Sequence, residues 1–309
     1  NPKVEHNSFG DLEFDIVYEE YKNDLKRLVE DKMTYALMRG LEESFPSSVT
    51  GYRGIGYLED LEKITKENLY EYYQNVIKHN YVDVFVLGSF DSEEMTNLIR
   101  EIFPINTYKK KALPTLVARK ENSKVKVVTE NIESSQDNLI ITLNTLGLTD
   151  YERNYPLSLL NVILGGGTES LLFNEVREKK SLAYTISSTP NKLDNIIIIR
   201  GGISSGKSKE AVKIVKMILK DLAKGKFDDN MVIKAKDFYT SALDDIIESA
   251  LQIIESYYMI ELLGVDDIET KREKMQKVTK EEIIAVAKKT SINTIYILEG
   301  RENSGESNT

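Results

Sequence analysis

The stretch Gln276-Lys277-Val278-Thr279-Lys280-Glu281-Glu282-Ile283 leads to Thr294-Ile295-Tyr296-Ile297-Leu298-Glu299-Gly300 and has a counterpart earlier in the chain. There Glu62-Lys63-Ile64-Thr65-Lys66-Glu67-Asn68-Leu69 leads to Val82-Asp83-Val84-Phe85-Val86-Leu87-Gly88. Ile64 aligns with Val278 at an offset of 214, and Gly88 with Gly300 at an offset of 212. In each copy a threonine stands at the N-cap position of a helix, and Thr279-x-x-Glu282 completes a capping box. A short helix, a turn and a β-rich strand follow. Similar order over about 25 residues points to duplication rather than coincidence. The second copy opens near Asp137-Asn138 with the apolar strand Leu139–Leu143. An offset of about 213 then sets the opening of the first copy roughly 75 residues ahead of Asn1, so the first repeat is expected to be truncated.

Outward from the repeat, periodicity predicts one long helix over 15–45, with Ile16, Leu25, Leu28, Val29, Ala36, Leu37 and Leu41 near helical spacing. Helix 66–79, strand 82–88 and helix 92–102 complete the first half. Residues 104–136 carry Pro104, Lys109-Lys110-Lys111, Pro114 and an alternating strand at Val125–Val128, and read as a linker with a solvated lysine face. The second half begins with strand 138–144 and helices at 153–164 and 168–179. Strands 182–189 and 194–202 are joined only by Pro190-Asn191-Lys192-Leu193, a connection short enough for antiparallel pairing alone. Helix 208–224, a long helical stretch 229–263 and helix 266–275 lead back to the repeat. The expected fold class is α+β: a duplicated unit whose mostly antiparallel sheet carries helices on one face. The expected division is 1–106 for the end of the first repeat, 107–136 for the linker, 137–302 for the second repeat and 303–309 for a tail.

The chain has 309 residues, 41% of them hydrophobic and 29% charged, with six prolines, which excludes disordered and low-complexity classes. Its net charge of −9 argues against nucleic-acid and anionic-membrane partners and suits a cytoplasmic location. No apolar run reaches the length that spans a bilayer. With no cysteine, thiolate metal sites, disulfides and a cysteine nucleophile are excluded. His6 and His79 are the whole imidazole inventory, so a histidine-rich metal site or a Ser-His-Asp triad could draw only on those two.

Gly201-Gly202-Ile203-Ser204-Ser205-Gly206-Lys207-Ser208 matches the phosphate-loop pattern G-x-x-x-x-G-K-[ST] between an apolar strand and a helix. In that reading backbone N–H groups and Lys207 would hold phosphates, and Ser208 a magnesium ion. Against it, the preceding strand is tied by a tight loop to an antiparallel neighbour, whereas phosphate-loop folds need parallel strands with helical crossovers. Nucleotide hydrolysis is therefore the least favoured alternative, and a glycine-rich strand-to-helix turn the plainer one.

The segment Leu164-Gly165-Gly166-Gly167-Thr168-Glu169-Ser170-Leu171-Leu172-Phe173-Asn174-Glu175-Val176-Arg177-Glu178-Lys179-Lys180-Ser181-Leu182-Ala183-Tyr184 resembles the second-repeat signature of the insulinase/pitrilysin metallopeptidase family. That signature is a glycine-rich turn, a Leu-Phe helix start and Arg-Glu-x-x-x-Leu-Ala-Tyr. The order of elements along the whole chain is similar as well. Asp31-Lys32-Met33 and the Val-Arg-Glu-Lys-x-Ser-Leu-Ala-Tyr run look most like a bacterial branch that lacks the zinc motif. The resemblance implies a first-repeat helix with His-x-x-Glu-His, where two histidines share a helical face and glutamate serves zinc-bound water. This chain has no such motif: Glu5-His6 echoes its end, but Pro2 stands where the first histidine would be. A third-ligand position would fall near Glu20 or Asp24, and neither matches cleanly.

The resemblance carries over Arg177 and Tyr184 as catalytic donors to a developing oxyanion, and Gly165, Gly166 and Gly167 as substrate-contacting backbone. The plain alternative is an Arg177 ion pair with Glu175 or Glu178 and a half-buried Tyr184. The implied function is a subunit without its own zinc, lending a peptide chamber to a homologous zinc-bearing partner or to a second copy, with peptide as substrate. Two alternatives stand beside it. One is an active zinc endopeptidase whose metal motif lies upstream of Asn1. The other is a non-catalytic scaffold.

Overall fold

The structure, a computed structural model, describes residues 2–80, 82–103 and 124–301. In chain order the first elements are β1 (Val4–Glu5), β2 (Ser8–Phe9), α1 (Asp11–Arg27), α2 (Lys32–Ser44), α3 (Leu58–Leu61), α4 (Lys66–His79) and α5 (Ser92–Ile102). There follow β3 (Lys126–Glu133), β4 (Gln136–Asn144), α6 (Asp150–Asn154), α7 (Pro156–Gly165), β5 (Ala183–Asn191) and β6 (Ile196–Ser204). The last are α8 (Ser208–Ala223), α9 (Asp229–Glu248), α10 (Ala250–Leu263), α11 (Ile268–Lys277), α12 (Lys280–Lys289) and β7 (Ser291–Arg301). No helix among the described residues is long and apolar enough to cross a membrane. The lysine run 109–111 and the segment 303–309 lie outside the described residues.

The chain folds into two units, each discontinuous in sequence. The smaller draws on Asn1–Tyr18, Lys63–Arg119 and Asp244–Asp267; the larger on Glu19–Glu62, Lys120–Leu243 and Ile268–Thr309. In the smaller unit β1 and β2 form a hairpin whose turn puts His6 and Asn7 at positive φ, and Phe9 packs edge-on to Tyr70 of α4 at 5.3 Å. Thr65 caps α4 in a reciprocal box with Asn68. The segment 82–88, expected as a strand, has no ladder partner. Phe85 meets Tyr258 of α10 edge-on at 5.5 Å, while Val82, Val84, Val86 and Leu87 stay exposed. A strand exists only where a neighbour takes its N–H and C=O groups, and among the described residues none does so here.

The larger unit is built on a mixed five-stranded sheet of order β3-β7-β4-β6-β5. β4 pairs antiparallel with β7 and β6, β6 antiparallel with β5, and β3 parallel with β7. β3, which the sequence assigns to the linker region, is thus an outer strand of the sheet. On one face Leu139, Ile141, Leu143, Ile197, Ile199, Ile203, Ile295 and Ile297 form a core with residues of α7, α8 and α12. Full burial of each such side chain contributes about 1.5–3 kcal/mol.

Helices were expected on one face only, but the opposite face is covered too. There α2 lays Ala36, Met33 and Leu37 on Ile140, Tyr296 and Leu298. Gly40 permits the approach, since a Cβ at that position would stand 2.9 Å from Ile140 Cγ2. A charged cluster locks the end of α2. Arg39 reaches Glu42, Glu43 and Glu130, Arg53 reaches Glu42, and the Tyr296 hydroxyl donates to Glu130 at 2.9 Å. The Arg39 hydrogen bond holds the Glu130 carboxyl below the usual range. Burial alone would raise Glu42, but bonds from Arg53 and Arg39 outweigh it and lower that carboxyl as well.

Two long helices predicted from periodicity are each two helices. The 15–45 pattern breaks at Asp31, whose carboxylate accepts from Thr34 N at 3.1 Å and so starts α2 afresh. The 229–263 pattern breaks at Ser249, which caps α10 by accepting from Gln252 N. In both places a short polar side chain satisfies N–H groups that a continuing helix would have bonded internally.

Candidate functional site

The glycine turn, Arg177 and Tyr184 occupy one continuous path from α7 to β5. α7 ends at Gly165, which is buried; a Cβ there would stand 2.6 Å from Ser188 Oγ and 2.7 Å from Ser188 N. Gly165 is therefore required for α7 to lie against β5. A Cβ on Gly166 would stand 2.7 Å from Val162 Cα, whereas one on Gly167 would meet only Phe238 at 3.7 Å. Among the described residues, Gly167 is the one of the three glycines with open space beside it.

Beyond the turn the backbone winds into a π-helical segment, Phe173–Glu178. Widened helical turns of this kind occur often at functional sites. The chain reverses through Ser181, at φ 51°, with Ser181 N donating to Arg177 O at 2.9 Å and Leu182 N to Val176 O at 3.0 Å. Arg177 stacks over the Phe173 ring at 4.7 Å and lies 3.7 Å from Glu178. Glu175, the other partner expected from sequence, is taken by Lys179 at 2.6 Å. An exposed pair such as Arg177–Glu178 holds a guanidinium weakly.

β5 begins with a bulge. Ala183 pairs with Ile203 and Thr185 with Gly202, so Tyr184 is the extra residue, and it is 64% exposed. Bulges re-aim a side chain and end regular pairing. Tyr184 is not the half-buried strand residue of the plain alternative. No hydrogen bond joins it to Arg177 among the described residues.

The phosphate-loop match is filled from within. Asp137 is fully buried, and its Oδ2 accepts from Gly206 N at 3.2 Å and Ser208 Oγ at 2.8 Å, while Oδ1 accepts from Gly300 N at 3.0 Å. The start of α8, where a phosphate would sit, holds a carboxylate of the protein itself. β6 is moreover antiparallel to both of its neighbours. These two findings remove the nucleotide alternative. The sequence signal for Asp137 was present but unread: a lone acid opening an apolar strand.

Zinc, which the family resemblance implies, finds no home among these residues. No three His, Cys, Asp or Glu side chains cluster as a metal site among the described residues. His79 Nδ1 sits 3.0 Å from Asn75 O at the end of α4, and Glu20 and Asp24 are exposed on α1. Among the described residues nothing in the donor set fits the metal.

Several known proteins are similar to this chain. The chain is 28% identical over 287 residues to YmfF of Bacillus subtilis (strain 168), a probable inactive metalloprotease, a match covering 92% of this chain and 66% of YmfF. It is 24% identical to YmxG of the same organism, an uncharacterized zinc protease, over 79% of this chain and 59% of that one. The chain thus spans less than two thirds of either curated relative. The crystal structure of a conserved protein from Enterococcus faecalis V583 superposes with a TM-score of 0.88 at 26% identity, covering 97% of this chain and 71% of that one. The family model for the peptidase M16 inactive domain matches residues 63–239. That range is more than half of the sequence and contains the whole path from the glycine turn to Tyr184, and the chain belongs to the peptidase M16 inactive domain family.

Proposed function

We propose that this chain is a peptide-binding subunit without its own zinc, supplying Arg177 and Tyr184 as transition-state donors to a homologous zinc-bearing subunit. The observation that carries the reading is local. A π-helical segment and a β-bulge, both departures from regular structure, leave the cation and the phenol exposed around one short turn. Regular geometry at Tyr184 would have served a merely structural residue as well. In this reading residues 137–302 form the working repeat, 1–106 the end of the first repeat and 107–136 the connection between them, whose β3 portion joins the sheet of the working repeat.

A guanidinium and a phenolic O–H are fixed donors with no reorganisation to undergo when a carbonyl oxygen gains negative charge. Glu178 gives up little when substrate draws the guanidinium away. The peptide lies extended, as edge pairing requires, and its backbone passes near Gly167, the glycine with open space. Gly165 and Gly166 serve by packing.

The test is steady-state peptidase kinetics on the co-purified pair of subunits. Arg177→Ala and Tyr184→Phe each lower kcat/KM about a hundredfold, the effect of losing one oxyanion donor. Unchanged kcat/KM in both variants overturns the reading and favours a scaffold role.

A further inference from the structure

One row of side chains crosses the whole sheet on the α2 face: Val128, Tyr296, Ile140, Arg200 and Ser187, each paired with the next. α2 covers Tyr296 and Ile140. Its cover ends there, and Arg200 is exposed although it directly follows the largely buried run Ile196–Ile199. Among the described residues Arg200 has no carboxylate partner, in a chain whose net charge is −9.

Beyond Arg200 lies β5, the outer strand. Its free edge is interrupted at one end by the bulge at Tyr184 and at the other by Pro190, which has no N–H to offer. Between them no described residue pairs with the outer edge of Thr185–Thr189. The register sets Thr185 beside Gly202, Ser187 beside Arg200 and Thr189 beside Ile198, so three hydroxyl side chains share the face on which Arg200 stands.

We infer that the free edge of β5 takes an extended peptide bearing an acidic side chain, and that Arg200 selects that carboxylate. The inference rests on the peptide-binding reading and adds the chemical class of the peptide. A chain paired with β5 lies two inter-strand steps from β6, about 10 Å away. An extended guanidinium from one side and a Glu side chain from the other together bridge that gap. Ser187, the residue between them, is small enough to be crossed. The fork of Arg200 then meets the carboxylate through two parallel N–H···O bonds, which an amide cannot reproduce. A neutral peptide keeps the edge pairing and leaves the guanidinium in water.

The test uses fluorescence anisotropy of the full chain with two labelled heptapeptides rich in Thr and Val, identical except for Glu or Gln at the centre. The Glu peptide binds about threefold to fivefold tighter, the gain of a well-aligned but exposed charge pair. Arg200→Gln erases that difference and leaves affinity for the Gln peptide unchanged. Hydrogen exchange at 185–189 slows when either peptide is added. Equal affinities for the unaltered chain overturn the Arg200 assignment and leave peptide binding standing. Failure of both peptides to bind overturns the assignment together with the reading beneath it.

Discussion

Replacing Asp137 by alanine removes one acceptor from three donors: Gly206 N, Ser208 Oγ and Gly300 N. A hydrogen bond to a charged group contributes about 1.5–3 kcal/mol, and a buried donor left alone carries its desolvation cost as well. Gly206 is exposed, so water can replace the carboxylate there; Ser208 and Gly300 are buried and have no such recourse. Two bonds lost without replacement amount to about 4 kcal/mol. Asp137→Asn costs less, about 1–2 kcal/mol, because its carbonyl can serve Gly300 N while its amide donates to the Ser208 hydroxyl. Urea unfolding followed by circular dichroism measures both variants. With a slope of about 3 kcal/mol/M, the alanine variant's midpoint falls by roughly 1.3 M. Hydrogen exchange should quicken at the start of α8 and the end of β7 together, since one side chain holds both. A loss under about 1 kcal/mol, or quickening at only one of the two places, would show that Asp137 does not hold α8 and β7 together.

Other consequences follow from the same structure. Gly165→Ala forces a Cβ to 2.6 Å from Ser188 Oγ and should destabilise by about 2–3 kcal/mol. Gly167→Ala, meeting only Phe238 at 3.7 Å, should stay within about 0.5 kcal/mol in the same urea assay. The carboxyls of Glu130 and Glu42 are lowered in the folded chain. Their contribution is present above the unfolded carboxylate range, near 4.5, and disappears as pH falls through the lower folded values. Glu130→Gln should flatten the acid limb of the Tm–pH curve, and an unchanged limb would count against the cluster. Lys192 donates to Asn154 O at 3.2 Å; burial, with repulsion from Lys271 added, pulls its ammonium down to about 8. The unfolded chain therefore binds the extra proton between about 8 and the ordinary value of 10.5, so stability rises with pH across that window. Lys192→Met should remove the rise in a Tm series from pH 7.5 to 10.5.

Local grammar was legible in the sequence wherever the chain itself decides the outcome. Both threonine caps form, at Thr65 and Thr279, and the second is the predicted box with Glu282. β5 and β6 pair antiparallel as their short connection demands. Outcomes that depend on neighbours were not legible. Residues 82–88 and β7 read alike, yet only β7 has strands on both sides. The break at Asp31 is a competition between apolar periodicity and one capping carboxylate, and periodicity gives no measure of that contest. The phosphate-loop match carried no information about Asp137, some seventy positions earlier, which fills it. At the candidate site, the family resemblance located Arg177 and Tyr184 without revealing the π-helical segment or the bulge beside them, because the first depends on backbone hydrogen bonding and the second on strand register.

A division of labour between two chains shows itself when metal content is measured beside activity. Purified alone, this chain should carry no stoichiometric zinc and cleave no peptide. Co-purified with a zinc-bearing homologue, the pair should hold one zinc and turn over substrate, with activity falling when Arg177 becomes alanine. One zinc per copy of this chain, together with peptidase activity in the absence of any partner, would make the chain a peptidase in its own right and rule out the divided role.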